Sequence, residues 1–360
     1  MSIYDSKRWI ADLDETIAAH PELEELAGKS VMITGCSGLI CSAIVDLLIR
    51  RNETNEKKIR ILAAGRNKER VEQRFSPYSK EDWFDYVPYD ASAPVSSSQA
   101  CCDYIIHGAS NASPNKIMRE PVETMLSNVI GIKYLLDYAI EKKAKRVLYI
   151  SSSEVYGEKT GEQPFKPDEY GYIDLLKARS AYSVGKRAAE TMCASYAEEY
   201  GVDAVIVRPG HIYGPTALSS DNRVSSAWAY ACAKGENIVM KSDGAQIRSY
   251  CYCLDCASAI LTVLLKGKSV RAYNISNPES IVSIREMAEI LAASADVRLQ
   301  TVLPTEAEKK GFNPMSNSSL DSTELTELGW KGLFDAKRGF SHTVEILRET
   351  TDLKRRRPAD

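Results

Sequence analysis

The 360-residue chain predicts an α/β fold, a doubly wound parallel sheet preceded by a helical extension and followed by a smaller C-terminal lobe. Three observations carry that prediction. Between residues 29 and 208, short apolar runs of strand length alternate with amphipathic stretches of helix length. A glycine turn, Gly35-Cys36-Ser37-Gly38, joins the first apolar run to the first helical stretch. After Arg208 the alternation loosens, with Pro209, Gly210, Gly214 and Pro215 closely spaced, so a second region begins there.

Residues 4–27 carry Trp9, Ile10, Leu13, Ile17, Leu23 and Leu26 at helical spacing among acids, which predicts one or two accessory helices. Val31-Met32-Ile33-Thr34 is a short buried strand, and a helix follows the glycine turn to about residue 51. Further strands are predicted at 59–64, 84–89, 104–107, 146–150 and 202–207, with helices in the intervals, the longest over 122–141 and 179–200. The serine-rich run 94–99 reads as a surface loop. Beyond 208 the pattern predicts a helix near 225–233, a segment near 248–275 that returns to the first domain, and a helical C-terminal part to about 348. The division expected is an extension over 1–28, a first domain over 29–208 with that return segment, and a lobe built from 209–247 and 276–360.

Formal net charge is -3 and the pI near 6.0, so nothing marks a nucleic-acid partner. The basic stretch Lys354-Arg355-Arg356-Arg357 reads as a solvated end. The N-terminus lacks the apolar core of a signal peptide, and no apolar run approaches the ~18 residues of a membrane span, so a cytoplasmic protein is expected. Nine cysteines, an odd count without secretory context, suggest free thiols. Cys251, Cys253 and Cys256 cluster, but no other Cys and no His lies within twelve residues on either side, so buried thiols are expected and no metal.

The chemistry is organised around Ser180-Ala181-Tyr182-Ser183-Val184-Gly185-Lys186-Arg187. Tyr182 and Lys186 lie one helical turn apart on one face. A free phenol titrates near pH ~10, so it becomes a base at neutral pH only if a cation favours the phenolate, and Lys186 is that cation. The same ammonium could also donate to the ribose hydroxyls of a dinucleotide. Gly35 and Gly38 would let the backbone approach a pyrophosphate at the start of a helix. The spacing is Gly-x-x-Gly-x-x-Cys, so Cys41 stands where a third glycine would bring helix and strand close, and some loss of packing is expected.

After the second strand the chain reads Ala63-Ala64-Gly65-Arg66-Asn67, without the usual ribose-binding acid. Arg66 could meet a 2'-phosphate, which leaves NADP open, or it is an exposed surface arginine. Asp90 either accepts the adenine amino group or caps a turn. Ser151-Ser152-Ser153-Glu154-Val155-Tyr156-Gly157 leaves the fifth strand at its carboxyl end, the edge where such sheets bind ligands. A hydroxyl there could hold a substrate oxygen beside Tyr182, and Glu154 brings a carboxylate able to act as acid or base.

With Thr34-Gly35-Cys36-Ser37-Gly38, the Ser151-to-Gly157 stretch, Tyr182-x-x-x-Lys186 and Arg208-Pro209-Gly210-His211-Ile212-Tyr213-Gly214-Pro215 in order, the chain resembles the extended short-chain dehydrogenase/reductases that act on nucleotide sugars. The resemblance runs from Lys29 to about Gly267 and implies a Rossmann-like domain with its active site against the C-terminal lobe. Ala112-Ser113-Pro114, Arg179-Ser180-Ala181-Tyr182, Asp221-Asn222-Arg223-Val224 and Gln246-Ile247-Arg248-Ser249-Tyr250 bring it nearest to the UDP-glucuronate decarboxylases. The resemblance implies that NAD is held by Gly35, Ser37, Gly38, Leu39, Ile40, Arg66, Asp90, Ala91, Gly108, Ala109, Asn128, Pro209, Tyr182 and Lys186. It implies catalysis by Ser152, Glu154, Tyr182, Lys186 and Arg248, and a UDP-linked sugar held by Ser110, Ser153, His211, Arg223 and Arg248. His211 occupies the position where the family usually has an asparagine near the diphosphate.

The reaction implied is oxidation at carbon 4 of a hexuronate, loss of carbon dioxide from the resulting 4-keto acid, and return of the hydride. A carboxylate substrate needs a cation, for which Arg248 is the candidate, its other role being to bind the diphosphate. A 4-epimerase would need no Glu154, and a 4,6-dehydratase would want an acid at Ser153, because a serine is a poor proton donor. A dinucleotide-sensing regulator without chemistry is the alternative of another class, and it would have little use for Ser152, Tyr182 and Lys186. The family also implies a homodimer through the two long helices. Leu135, Ala188, Met192 and Tyr196 either serve that interface or cover the sheet.

Overall fold

A computed structural model describes residues 2–96, 101–159, 161–302 and 315–350. Part of the run 94–99 and the basic stretch after 350 lie outside the described residues. Strands β1 (Ser30–Thr34), β2 (Arg60–Gly65), β3 (Phe84–Pro88), β4 (Tyr104–His107), β5 (Arg146–Ile150) and β6 (Ala204–Pro209) fall where the apolar runs predict them. All are parallel, in the order β6-β5-β4-β1-β2-β3. A seventh strand, Ala272–Ile275, joins the far edge beside β6, completing a doubly wound sheet of Rossmann type.

The strands alternate faces as a pleated sheet requires. Val31 and Ile33 of β1 turn to one side and Met32 to the other; Leu148 of β5 turns to the first side, Val147 and Tyr149 to the second. The first layer is built on α1 (Lys7–Ala19) and α2 (Leu39–Thr54). The second is α5 (Pro121–Lys142) with α6 (Ser180–Tyr200), whose Leu135, Leu136, Ala189 and Cys193 pack on Met32, Val147 and Tyr149. Short helices α3 (Lys68–Arg74) and α4 (Pro114–Arg119) complete the series. Helices were expected in every interval. Between β3 and β4 the described residues form none; the segment opens with the Asp90 turn and Pro94.

Past β6 the chain builds a second sheet. Its central strand β9 (Ile247–Tyr252) pairs with β7 (His211–Tyr213), β11 (Ile281–Ser283) and β13 (Asn317–Ser318). A parallel pair, β8 (Ile238–Met240) with β12 (Leu299–Thr301), lies apart from it, and α7 (Val224–Ala233) and α9 (Ile284–Ala295) accompany them. Within 248–275, therefore, residues through Tyr252 serve the second sheet. Only α8 (Cys253–Lys266) and β10 (Ala272–Ile275) return to the first. Two more helices follow, α10 (Thr323–Glu327) and α11 (Ala336–Thr350).

The N-terminal helix is not peripheral. Trp9 and Leu13 are fully buried, and Asp12 accepts from Tyr252 Oη of β9 at 3.0 Å and meets His342 Nδ1 of α11 at 3.0 Å. Tyr4 Oη donates to Asp46 of α2 at 2.6 Å, where Arg74 also binds. Arg208 pins the segment before α6 to β6. It is bidentate to Glu190 at 2.9 and 2.6 Å and donates to the oxygens of Tyr156 (Oη), Pro167 (carbonyl) and Tyr170 (Oη). All nine cysteines are free thiols, Cys101 alone being exposed. No helix among the described residues is long and apolar enough to cross a membrane.

Candidate active site

The strand order reverses between β1 and β4, and the crevice at their carboxyl ends is where such sheets hold ligands. Gly35 opens it. Its φ is +69°, and a Cβ there would stand 3.0 Å from the backbone of Ala109, so neither conformation nor space admits a side chain. Thr34 Oγ1 ties the two strand ends, meeting His107 Nδ1 at 2.7 Å and accepting from the N–H groups of Gly108 and Ala109 at 3.2 and 3.3 Å. Gly38 is the N-cap of α2 without a side-chain cap, so the N–H groups of Leu39 and Ile40 begin the helix beside half-buried Ser37. A cradle that a Cβ would fill, with an uncapped helix start beside it, fits a dinucleotide's pyrophosphate. Cys41 does not loosen the packing as expected. It lies under Gly108, where a Cβ would stand 2.3 Å from its sulfur, so the glycine that lets the helix come close lies just past the neighbouring strand β4.

Arg66 is exposed at the end of β2. Asp90 Oδ1 accepts from Ser92 N and Oγ at 2.9 and 2.7 Å, the turn cap foreseen as one of its two roles. Those bonds, with Arg66 adding its charge, hold its carboxyl below the usual range. Ala91 follows, against Gly131 of α5, where a Cβ would stand 2.9 Å from the Ala91 methyl. Buried Asn128 of α5 accepts from Ser110 Oγ at 3.0 Å and Tyr149 Oη at 3.4 Å, so these two candidates meet beyond β4. Pro209 is buried at the end of β6.

The segment after β5 forms a 3-10 turn, Ser153–Tyr156, capped by Ser152 Oγ, which accepts from Glu154 N at 3.2 Å. The Tyr182 hydroxyl hydrogen-bonds Ser152. Gly185 allows this end of α6 to close on α5, its Cβ site being 3.3 Å from Asn128 Cβ. Lys186 is buried, donates to Ile150 O at 2.8 Å and stands 4.7 Å from the Tyr149 ring centroid and 5.8 Å from that of Tyr182. Burial pushes its amine down to about 7. Tyr182 was expected to be drawn toward the phenolate. Burial and the Glu154 charge instead push it up to about 12, outweighing the Ser152 bond and the charges of Arg179 and Arg223.

On the lobe side, His211 starts β7 with its ring 5.7 Å from that of Tyr250. More than a third of it remains solvent-accessible, and partial desolvation, then the charges of Arg248 and Arg223, push the imidazole down to about 4. Arg223 is bidentate to Asp221 at the start of α7. Arg248 is buried on β9, donating to Ile247 O at 2.9 Å and Met315 O at 3.4 Å. Burial lowers its pKa, and among the described residues no carboxylate pairs with it. A desolvated cation so placed can receive an anion.

Two residues at this site were not singled out in the sequence. Arg179 Nη2 donates to Glu154 Oε1 at 2.8 Å and Ser183 Oγ to Glu154 Oε2 at 3.2 Å. The signal was present, since Arg179 and Tyr182 are three apart and share a helix face, but its partner lies 25 residues away. The assembled groups can take a proton from a hydroxyl held at Ser152, place a carboxylate beside it and receive an anion from the lobe.

The family described as NAD dependent epimerase/dehydratase matches residues 31–276. UDP-glucuronic acid decarboxylase 6 of Arabidopsis thaliana is 29% identical over 321 residues, covering 88% of this chain and 88% of the relative. UDP-glucuronic acid decarboxylase 1 of the same plant is 31% identical over 319 residues, covering 88% of this chain and 69% of that one. In three dimensions, a dTDP-glucose 4,6-dehydratase from Streptomyces venezuelae, solved with NAD bound, has a TM-score of 0.75 at 21% identity over 89% of this chain and 97% of its own. At that identity the likeness speaks for the fold.

Proposed function

The chain belongs to the NAD dependent epimerase/dehydratase family, and from that premise we propose that it decarboxylates a nucleotide hexuronate of the UDP-glucuronate type to the pentose. The observation that carries the reading is Glu154, held beside Tyr182 by Arg179 and Ser183 immediately after the serine pair. The decarboxylases at 29% and 31% identity support it.

Gly35, Ser37, Gly38, Leu39 and Ile40 would hold the pyrophosphate of NAD, with Arg66, Asp90, Ala91, Gly108, Ala109, Asn128, Pro209 and Lys186 along the rest of the cofactor. NAD bound there would supply a reversible acceptor for the hydride of sugar carbon 4. Ser152 holds the oxygen on that carbon, Tyr182 takes its proton, and Lys186 is the cation assigned to favour the phenolate. The substrate's carboxyl is then beta to a ketone, so carbon dioxide leaves with the bonding electrons going to an enolate. Glu154 serves the proton steps that follow, and no net oxidation results. Arg248, with Arg223, His211, Ser110 and Ser153, receives the anionic parts of the substrate. Residues 29–208 with α8 and β10 form the cofactor domain, and 209–252 with 276–360 the substrate lobe. The protein works in the cytoplasm, in keeping with its free thiols.

The test is wild-type protein given UDP-glucuronate, with products identified by mass spectrometry. Carbon dioxide and a UDP-pentose are expected. No carbon dioxide from UDP-glucuronate, together with epimerisation or dehydration of a neutral nucleotide sugar supplied in its place, would leave only the family. Glu154→Gln should still oxidise substrate but stall afterwards, so that NADH accumulates on the protein.

A further inference from the structure

Arg179 occupies the N-cap of α6 in helical conformation (φ -59°, ψ -28°), makes no side-chain cap, and is followed by a first turn without an acid. Each feature runs against local preference. Ser, Thr, Asp and Asn favour that position, and a cation there opposes the helix dipole. Such conflicts between local rule and structure concentrate at functional sites. What offsets this one is Glu154, whose two oxygens are bound by Arg179 Nη2 at 2.8 Å and Ser183 Oγ at 3.2 Å. Burial works against the Arg179 charge, and the hydrogen bond and charge of Glu154 more than compensate, so its pKa is raised.

The Glu154 side chain is 40% exposed, and without these bonds a carboxylate on a short turn would sample several rotamers. Arg179 and Ser183 flank Tyr182 in sequence, so one turn of α6 carries both the phenol and the grip on the carboxylate. Other arginines nearby have other partners, Arg187 the carbonyls of Val155, Tyr156 and Gly171, Arg223 the carboxylate of Asp221 and Arg248 two carbonyls.

We propose that Arg179 is a positioning residue, acting through Glu154: it holds that carboxylate in one orientation relative to Tyr182 so that the steps after oxidation proceed. The proposal rests on the decarboxylase reading. It assigns Arg179 no contact with substrate.

The full-length protein with NAD bound and UDP-glucuronate as substrate provides the test. Arg179→Gln is expected to lower kcat for carbon dioxide release about 10- to 100-fold with KM changed by less than roughly threefold, and to accumulate NADH as Glu154→Gln does. Arg179→Lys should recover part of kcat. The double variant should be no worse than Glu154→Gln alone. A raised KM with intact kcat, or losses that multiply in the double variant, overturns the proposal. Wild-type protein that releases no carbon dioxide overturns the functional reading alone. The pairing is then judged by urea unfolding, where midpoint losses smaller in the double variant than the singles combined support it and fully additive losses sink it.

Discussion

At Lys186 burial opposes the charge that the residue type suggests. Its amine falls from 10.5 to about 7 because the ammonium is desolvated, the contact with Ile150 O and the neighbouring rings notwithstanding. The stability consequence has a definite sign. Between pH ~7 and ~10.5 the unfolded chain binds a proton that the native chain does not, so this residue makes stability rise with pH through that window. Below it, both states are charged and the native one carries the full desolvation penalty. Replacing Lys186 by Met also strands the Ile150 carbonyl, but that loss does not vary with pH. The urea midpoint of Lys186→Met relative to wild type is therefore expected to be most favourable near pH ~6 and to decline toward pH ~9. A difference that is flat or grows with pH would contradict this account. Cys41 teaches a related lesson: its place in the glycine spacing was legible, but the Gly108 that makes room for it follows a strand some seventy residues on.

Among the elements, α1 shows what periodicity hides. Its apolar spacing predicted a helix, and Trp9 and Leu13 do bury, but its acids do more than face solvent. Down one side Ser6 meets Glu349, Arg8 meets Glu345, Asp12 meets His342 and Glu15 meets Arg338, all on α11, while Asp14 binds Arg50 of α2 at 2.7 and 2.9 Å. The helix thus straps the first sheet's helical layer to α11. Of these acids only Asp12 lies fully inside, where it also accepts from Tyr252 of the strand that carries Arg248. Asp12→Ala, which leaves Tyr252 and His342 without their partner, is expected to destabilise by about 2–4 kcal/mol. Arg8→Ala, which breaks an exposed pair, should lose less than about 1 kcal/mol. Equal losses in chemical denaturation would show that the strap's strength is spread over its surface pairs. The seventh strand escaped the sequence reading for a similar reason. Four residues, Ala272–Ile275, carry a buried Asn274 whose amide donates to Phe165 O and Asp321 O and accepts from Tyr156 Oη, all distant in sequence.

For the molecule as a whole, the residues first considered for an interface need revision. Leu135 is fully buried against the sheet, and Tyr196 is buried with its hydroxyl on Asp137 at 2.6 Å, so both cover the core. On α5 the apolar side chains left exposed are Val122, Leu126 and Ile140, at 63%, 46% and 41%. We propose that the protein is a homodimer and that this face, with α6, is buried in it. Light scattering at about micromolar concentration should give twice the chain mass, and Leu126→Asp should give the single mass with its circular dichroism unchanged; wild type at the single mass would refute it. The sequence by itself determined the first six strands in order, the long helices between them and the glycine, serine and tyrosine–lysine stretches, because these depend on local periodicity, turn chemistry and spacing within one helix. Only the tertiary structure decided that Tyr182 is pushed up rather than down, that Glu154 is gripped by Arg179, and that Arg248 is a buried cation without a carboxylate partner among the described residues. Desolvation and charge pairing depend on which distant segments pack together, and no window of sequence contains that.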